Sequence, residues 1–206
     1  STFVSSSDTL GLVPADNWNN LSGFPGFSAT GVNFDDGTSS GAQVEYVNNA
    51  GGNMTATEVA VTADPNTSMF HSGIFASTAF DSPDEINITG LPTTGDWSAG
   101  YDVYVYVSNS TGTNPADGFN LSDGTTTYYL DLPSGANYSG SFVQATSTSS
   151  GSPSTAGNYV LFSGLSGAAQ TITVQSGNFN DVGATGFQIV AIPEPSTLLL
   201  VGLALG

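Results

Sequence analysis

"YDVYVYV" (Tyr101–Val107) is the stretch that decides the fold. Its residues alternate with a period of two, which sets Val103, Val105 and Val107 on one face and Tyr104 and Tyr106 on the other. β-Branched and aromatic side chains suit a pleated strand. Because both faces are apolar or aromatic, the stretch reads as a central strand. Working outward, "FNLSDGTTTYYL" (Phe119–Leu130) reads as a hairpin turning at Asp123-Gly124, since Asp-Gly suits the tight turns that join antiparallel strands. The same alternation predicts further strands over 2–5, 31–34, 42–47, 54–62, 85–90, 118–121, 126–132, 141–146, 158–162, 170–175 and 186–192. Gly, Asn, Asp, Ser and Pro fill the intervals, as turns require. Asp64 as a cap and Pro65 at the first helical position predict one short helix through His71. "ATSTSSGSPSTAG" (Ala145–Gly157) reads as a surface loop open to O-linked modification. The expected fold is an all-β, jelly-roll-like antiparallel β-sandwich with at most one short helix. Residues 1–192 would form the sandwich, and residues 193–206 an apolar tail.

Composition narrows the chemistry. The 206 residues include 17 Asp and Glu, one His, and no Lys, Arg or Cys, for a formal net charge of −17. Nothing in such a chain can neutralise phosphates, which excludes nucleic acid as a partner and disfavours an anionic membrane surface. Cations, calcium above all, are the charged partners that remain. A chain without Lys or Arg offers trypsin-like proteases no site, which suits life outside the cell. Without Cys there is no disulfide framework and no thiolate metal site. At 38% hydrophobic and 11% aromatic residues, the chain can still form a packed core, so it is not an acidic disordered tail.

Catalytic constellations are scarce. A nucleophile–base pair would have to use His71, which sits among apolar residues in "MFHSGIF" with no Gly-x-Ser-x-Gly elbow nearby, so it reads as a packing residue. Phosphoryl transfer lacks its cationic stabilisers. If "NNAGGN" turns between Gly51 and Gly52, Glu45 faces Glu58 across a hairpin. That pair reads as a weak cation site, a glycosidase-like carboxylate pair or simply a solvated face. Further calcium candidates are Asp35 and Asp36 before Gly37, and Asp117, Asn120 and Asp123 around the second turn. Oxygen-bearing loops of this kind are what calcium uses, although Asp in turns is also ordinary turn chemistry. No cofactor is required, and a structural Ca²⁺ is the one ion these acids suggest. For sugar binding, the expected residues are Trp97 beside Asp96 in "TTGDWSAG", then Tyr138 in "SGANYSG", because aromatic rings stack on the apolar faces of pyranoses. Trp18 in "ADNWNN" reads as a plug at one end of the sandwich. Glycosylation sequons occur at Asn20, Asn53, Asn66, Asn87, Asn109, Asn120 and Asn137, many of them by chance in so Asn- and Thr-rich a chain.

The ending "AIPEPSTLLLVGLALG" carries a resemblance. Pro193-Glu194-Pro195 followed by Ser-Thr and a leucine-rich run resembles the PEP-CTERM sorting signal. "GLVPADNWNNLSG" (Gly11–Gly23), "DPNTSMFHSGIF" (Asp64–Phe75), "GLPTTGDWSAGYDVYVYV" and "GATGFQIVAIPEP" are similar to the ectodomains of PEP-CTERM proteins. The resemblance implies export, handling by an exosortase in bacteria that make exopolysaccharide, and a jelly roll similar to galactose-binding domains. It implies an address more firmly than an activity. The chain departs from the pattern after Leu205: the family's apolar tail is longer and ends in Arg. As it stands, the run is too short for a bilayer, which needs about 20 apolar residues, so no stable transmembrane anchor is expected. Leu198, Leu199, Leu200, Val201, Leu203 and Leu205 could instead fill a groove on a partner.

Together these readings predict a secreted, non-catalytic structural protein of the cell surface or extracellular matrix. Its partners would be further copies of itself, joined into filaments through the chain ends, with the exosortase met during export. The alternative is a carbohydrate-binding module for matrix exopolysaccharide.

Overall fold

A computed structural model describes residues 4–5, 7–20, 27–47, 64–71, 74–75, 83–109, 119–134, 138–175 and 183–194. Ten strands occur in it: β1 (Phe27–Thr30), β2 (Gln43–Val47), β3 (Ile74–Phe75), β4 (Asp84–Thr89), β5 (Tyr101–Ser108), β6 (Phe119–Ser122), β7 (Thr127–Leu130), β8 (Tyr159–Leu165), β9 (Ala169–Gln175) and β10 (Gly183–Ala191). Among the described residues there is one α-helix, α1, spanning Pro65–His71. Two antiparallel sheets form, ordered β1-β2-β4-β9-β6-β7 and β3-β10-β5-β8. Among the described strands, successive ones after β2 lie in different sheets at nearly every step, which makes the sandwich jelly-roll-like.

β5 lies between β10 and β8, as its two apolar faces predict. Val103, Val105 and Val107 point between the sheets and are fully buried. They meet Val44 and Tyr46 of β2, Ile86 and Ile88 of β4, Phe119 and Leu121 of β6, Val160 and Phe162 of β8, and Ile172 and Val174 of β9. Each such side chain contributes roughly 1.5–3 kcal/mol by leaving water. At the start of β5, Gly100 has φ 97°, and a Cβ there would run into the Leu165 carbonyl oxygen, so only glycine fits.

Tyr106, on the opposite face of β5, is also fully buried, because the outer side of the four-stranded sheet is roofed. The roof consists of residues 4–5 and 7–20, α1 and the segment around Tyr138–Phe142. Leu10, Met69, Phe70, Tyr106 and Tyr159 form a second core there, with Trp18, Tyr138 and Phe142 packed against it. Trp18 thus covers a sheet face instead of plugging the sandwich end: its ring lies 6.3 Å from that of Tyr106, and its Nε1 donates to Ala15 O at 2.9 Å. Asp64 caps α1 as expected, accepting from Asn66 N, Thr67 N and the Thr67 hydroxyl.

Several expectations shift. The strand expected over 31–34 lies earlier, at β1, and residues 31–34 lead into a turn. Val4 and Ser5 are not in a strand, and the expected strand over 54–62 lies outside the described residues. The hairpin at Asp123 is present, with Ser122 opposite Thr127 and a four-residue connection. Residues 141–146 form no ladder strand. They begin a connection that runs along two sheet edges. Ala145 N donates to Tyr159 O beside β8, while Tyr129 N donates to Ser147 O and Ser154 N to Tyr129 O beside β7. The Ser/Thr/Gly-rich loop therefore covers one edge of each sheet, satisfying backbone groups that would otherwise invite another chain.

Candidate functional site

Trp97 closes a 3₁₀ turn (Gly95–Trp97) just before β5. Gly100 N donates to Trp97 O at 3.1 Å and Ile192 N to Gly100 O at 2.9 Å, which ties the turn to the exit of β10. The indole is half-buried against the main core. Its ring centroid lies 5.9 Å from Phe34 and 6.2 Å from Tyr101. Asp96 and Asp35 are exposed beside this pair. The Ser98 hydroxyl lies between the Gly95 carbonyl and the Glu194 carboxylate. Pro193 and Glu194 are exposed immediately after β10, while Pro195 and the run Leu198–Leu205 lie outside the described residues.

Tyr138 belongs elsewhere. Its ring stacks on Phe70 at 5.3 Å and 10° and lies 5.0 Å from Phe142, within the roof over the four-stranded sheet. Burial, with the Asp64 charge second, pushes its phenol above the usual range. Trp97 packs instead against the core between the sheets, so the two aromatic candidates do not share a site. The ring that does accompany Trp97 is Phe34, which the sequence reading missed. Its only signal was its place beside the Asp35-Asp36-Gly37 turn.

The acidic candidates separate too. Both edges of β2 are occupied: Glu45 stands opposite Ser28 of β1 on one side and Asn87 of β4 on the other. The expected hairpin register that would set Glu45 against Glu58 is therefore not formed, and Glu58 itself lies outside the described residues. Its cause is topological, because β2 finds β4 as its second partner, some forty residues downstream. Asp36 accepts from Thr38 N at 2.8 Å and from the Thr38 hydroxyl at 2.6 Å, which holds its carboxyl below the usual range. Asp123 accepts from Thr125 N and Thr126 N at 2.8 and 2.6 Å. Asn120 is half-exposed on β6, opposite Tyr129 and Gln175, and Asp117 lies outside the described residues. Among the described residues, no group of three or more His, Cys, Asp or Glu is placed to hold a metal ion.

Other features add constraints. His71 ends α1. Asn109, a sequon residue, is fully buried and donates to Leu132 O and Pro133 O, so it is closed to glycosylation. Asn20 donates to Val4 O, and Asn66 accepts from Gly11 N. A shallow cleft of about 220 Å³ lies among Leu132, Pro133, Val143 and Thr155–Asn158. Its buried polar residue, Asn158, is already committed, accepting from Val143 N and donating to Ser141 O. Among the described residues no helix is long and apolar enough to cross a membrane. Comparison of the chain with family models, curated proteins and solved structures returns no match.

Proposed function

We propose that this chain is a non-catalytic, exported structural protein of the cell surface or extracellular matrix that associates with further copies of itself. The observation that carries this reading is how seven of the thirteen described carboxylates are used. Asp8, Asp16, Asp36, Asp64, Asp102, Asp123 and Glu194 each accept from a backbone N–H or a Ser or Thr hydroxyl in a turn, cap or strand junction. They are dispersed as structural acceptors and do not converge on a cleft, whereas acid–base catalysis needs a carboxylate within reach of a bound substrate. Export rests on the PEP-CTERM resemblance at Pro193-Glu194-Pro195, with an exosortase as the partner met on the way. Structural Ca²⁺ belongs to this reading as a proposal, with Asp35, Asp36, Asn120, Asp123 and Glu45 as its described candidates.

A second reading has one observation in its favour: Phe34 and Trp97 are half-buried neighbours, and each is next in sequence to an exposed acid, Asp35 and Asp96. That arrangement suits a neutral polysaccharide, since aromatic rings stack on pyranoses. Affinity electrophoresis of the intact protein through neutral polysaccharides, alongside Trp97→Ala, separates the two readings. The structural reading expects equal mobility for both proteins. Retardation of the wild type that Trp97→Ala abolishes would put the sugar-binding reading first.

A further inference from the structure

The roof over the four-stranded sheet contains a segment that belongs to neither sheet. Residues 7–20 make one internal bridge, Leu10 to Ala15, and no ladder with any strand. They nevertheless complete the second core, where Leu10 is only 1% exposed. The docking is specific. Gly11 N donates to Asn66 Oδ1 of α1 at 2.9 Å, and Leu12 N to the Tyr106 hydroxyl of β5 at 2.8 Å. That hydroxyl donates in turn to Gln188 Oε1 of β10, and Gln188 Nε2 donates to Val13 O at 2.7 Å. Gly11 lies so close to Gln188 that a Cβ on it would stand 2.5 Å from Oε1. Asn19 forms a two-way bond with the backbone of Asn33, 2.9 Å in each direction.

From this arrangement we infer that residues 7–20 are an exchangeable element, and that the partner of the roofed face is the same segment of a second copy of this chain. Apart from its internal bridge, every contact of the segment just described is non-local, made with residues at least fourteen positions away in sequence. A neighbour's segment can therefore remake each of them without breaking a ladder bond. Exchange of an identical element costs little in native contacts, and it gives open polymers when the rotation between copies does not close. Charge leaves this route open. The seat is made of apolar side chains and neutral hydrogen bonds, so it needs none of the cations the chain lacks. The body must keep the seat filled, because Tyr106, Phe70 and Met69 would otherwise form an exposed apolar patch.

The inference rests on the self-association proposed above, and it is tested by locking the segment in place. Asn19 and Asn33 are exposed and the chain has no native Cys, so Asn19→Cys with Asn33→Cys gives a unique pair for a short bifunctional maleimide. Cross-linking within one chain, checked by intact mass, is expected to abolish assembly relative to the same double variant left unbridged, which has lost the Asn19 side-chain bonds whether its segment is exchanged or not. Assembly of the bridged protein equal to that of the wild type would overturn exchange and leave self-association standing. A wild type that stays monomeric would overturn both. Gly11→Ala gives an independent reading, since it blocks the segment's seat. Loss of assembly with the strand signal retained in circular dichroism is expected, and wild-type assembly would count against exchange.

Discussion

The Tyr106 hydroxyl accepts from Leu12 N and donates to Gln188, so one buried side chain ties β5, β10 and the segment over them together. Tyr106→Phe keeps the ring and leaves Leu12 N and Gln188 short of a partner, so a loss of about 1–3 kcal/mol is expected in urea unfolding. Burial also pushes the Tyr106 phenol above its usual range, and that of Tyr46 likewise, with the Asp84 charge adding to burial at Tyr46. A pKa raised in the folded state means stability that is fully present below the unfolded value, about 10, and lost as pH rises towards the folded value. Stability should therefore fall above about pH 10, with the phenolate absorbance of these two residues arriving only as the strand signal disappears. A smooth phenolate titration of every Tyr in folded protein would contradict that. Asp36 has the opposite sign. Its lowered pKa gives a contribution present above the usual carboxylate range and lost as pH falls through the folded value.

Among the elements, the connection from Ser141 to Gly157 has the clearest consequence. Asn158 is 5% exposed and holds both ends of its start, bonding Val143 N and Ser141 O, while its own carbonyl accepts from Val107 N. Asn158→Ala should cost roughly 1–3 kcal/mol and speed hydrogen exchange at Val143 and Ala145 before it affects β5. Asp64→Ala should cost about 1 kcal/mol by uncapping α1. These elements also mark how far the sequence could be read. The period of two in Tyr101–Val107, the Asp-Pro start of α1 and the Asp-Gly turn are local signals, and each lies where they predict. The second partner of β2 is not local: β4 joins it from some forty residues downstream, so the nearest glycine turn points Glu45 to Glu58, where the sheet sets it opposite Ser28 and Asn87. Residues 7–20 and 141–157 carry loop composition, yet they complete the roof and cover two edges, because backbone–side-chain bonds leave no periodic trace in sequence. Phe34 is illegible as Trp97's neighbour because a ring contact between residues far apart in sequence leaves no local pattern either.

Over the whole molecule, like charge is the dominant long-range force. With 17 acids and no Lys or Arg, copies repel one another at neutral pH, and that repulsion weakens as the carboxylates take up protons near pH ~4. Light scattering is expected to rise from pH 7 to pH 4. Below the carboxylate range the chain holds almost no charge of either sign, so the charge repulsion that helps unfold basic proteins in acid is missing, and the strand signal should survive at about pH 3. Loss of that signal in acid without aggregation would contradict this. The most direct measurement is sedimentation velocity of the intact chain at neutral pH over a wide concentration range, with electron microscopy of the same samples. Self-association predicts a sedimentation coefficient that climbs with concentration and filaments in the densest samples. A single monomeric boundary at every concentration, with dispersed particles only, would contradict it.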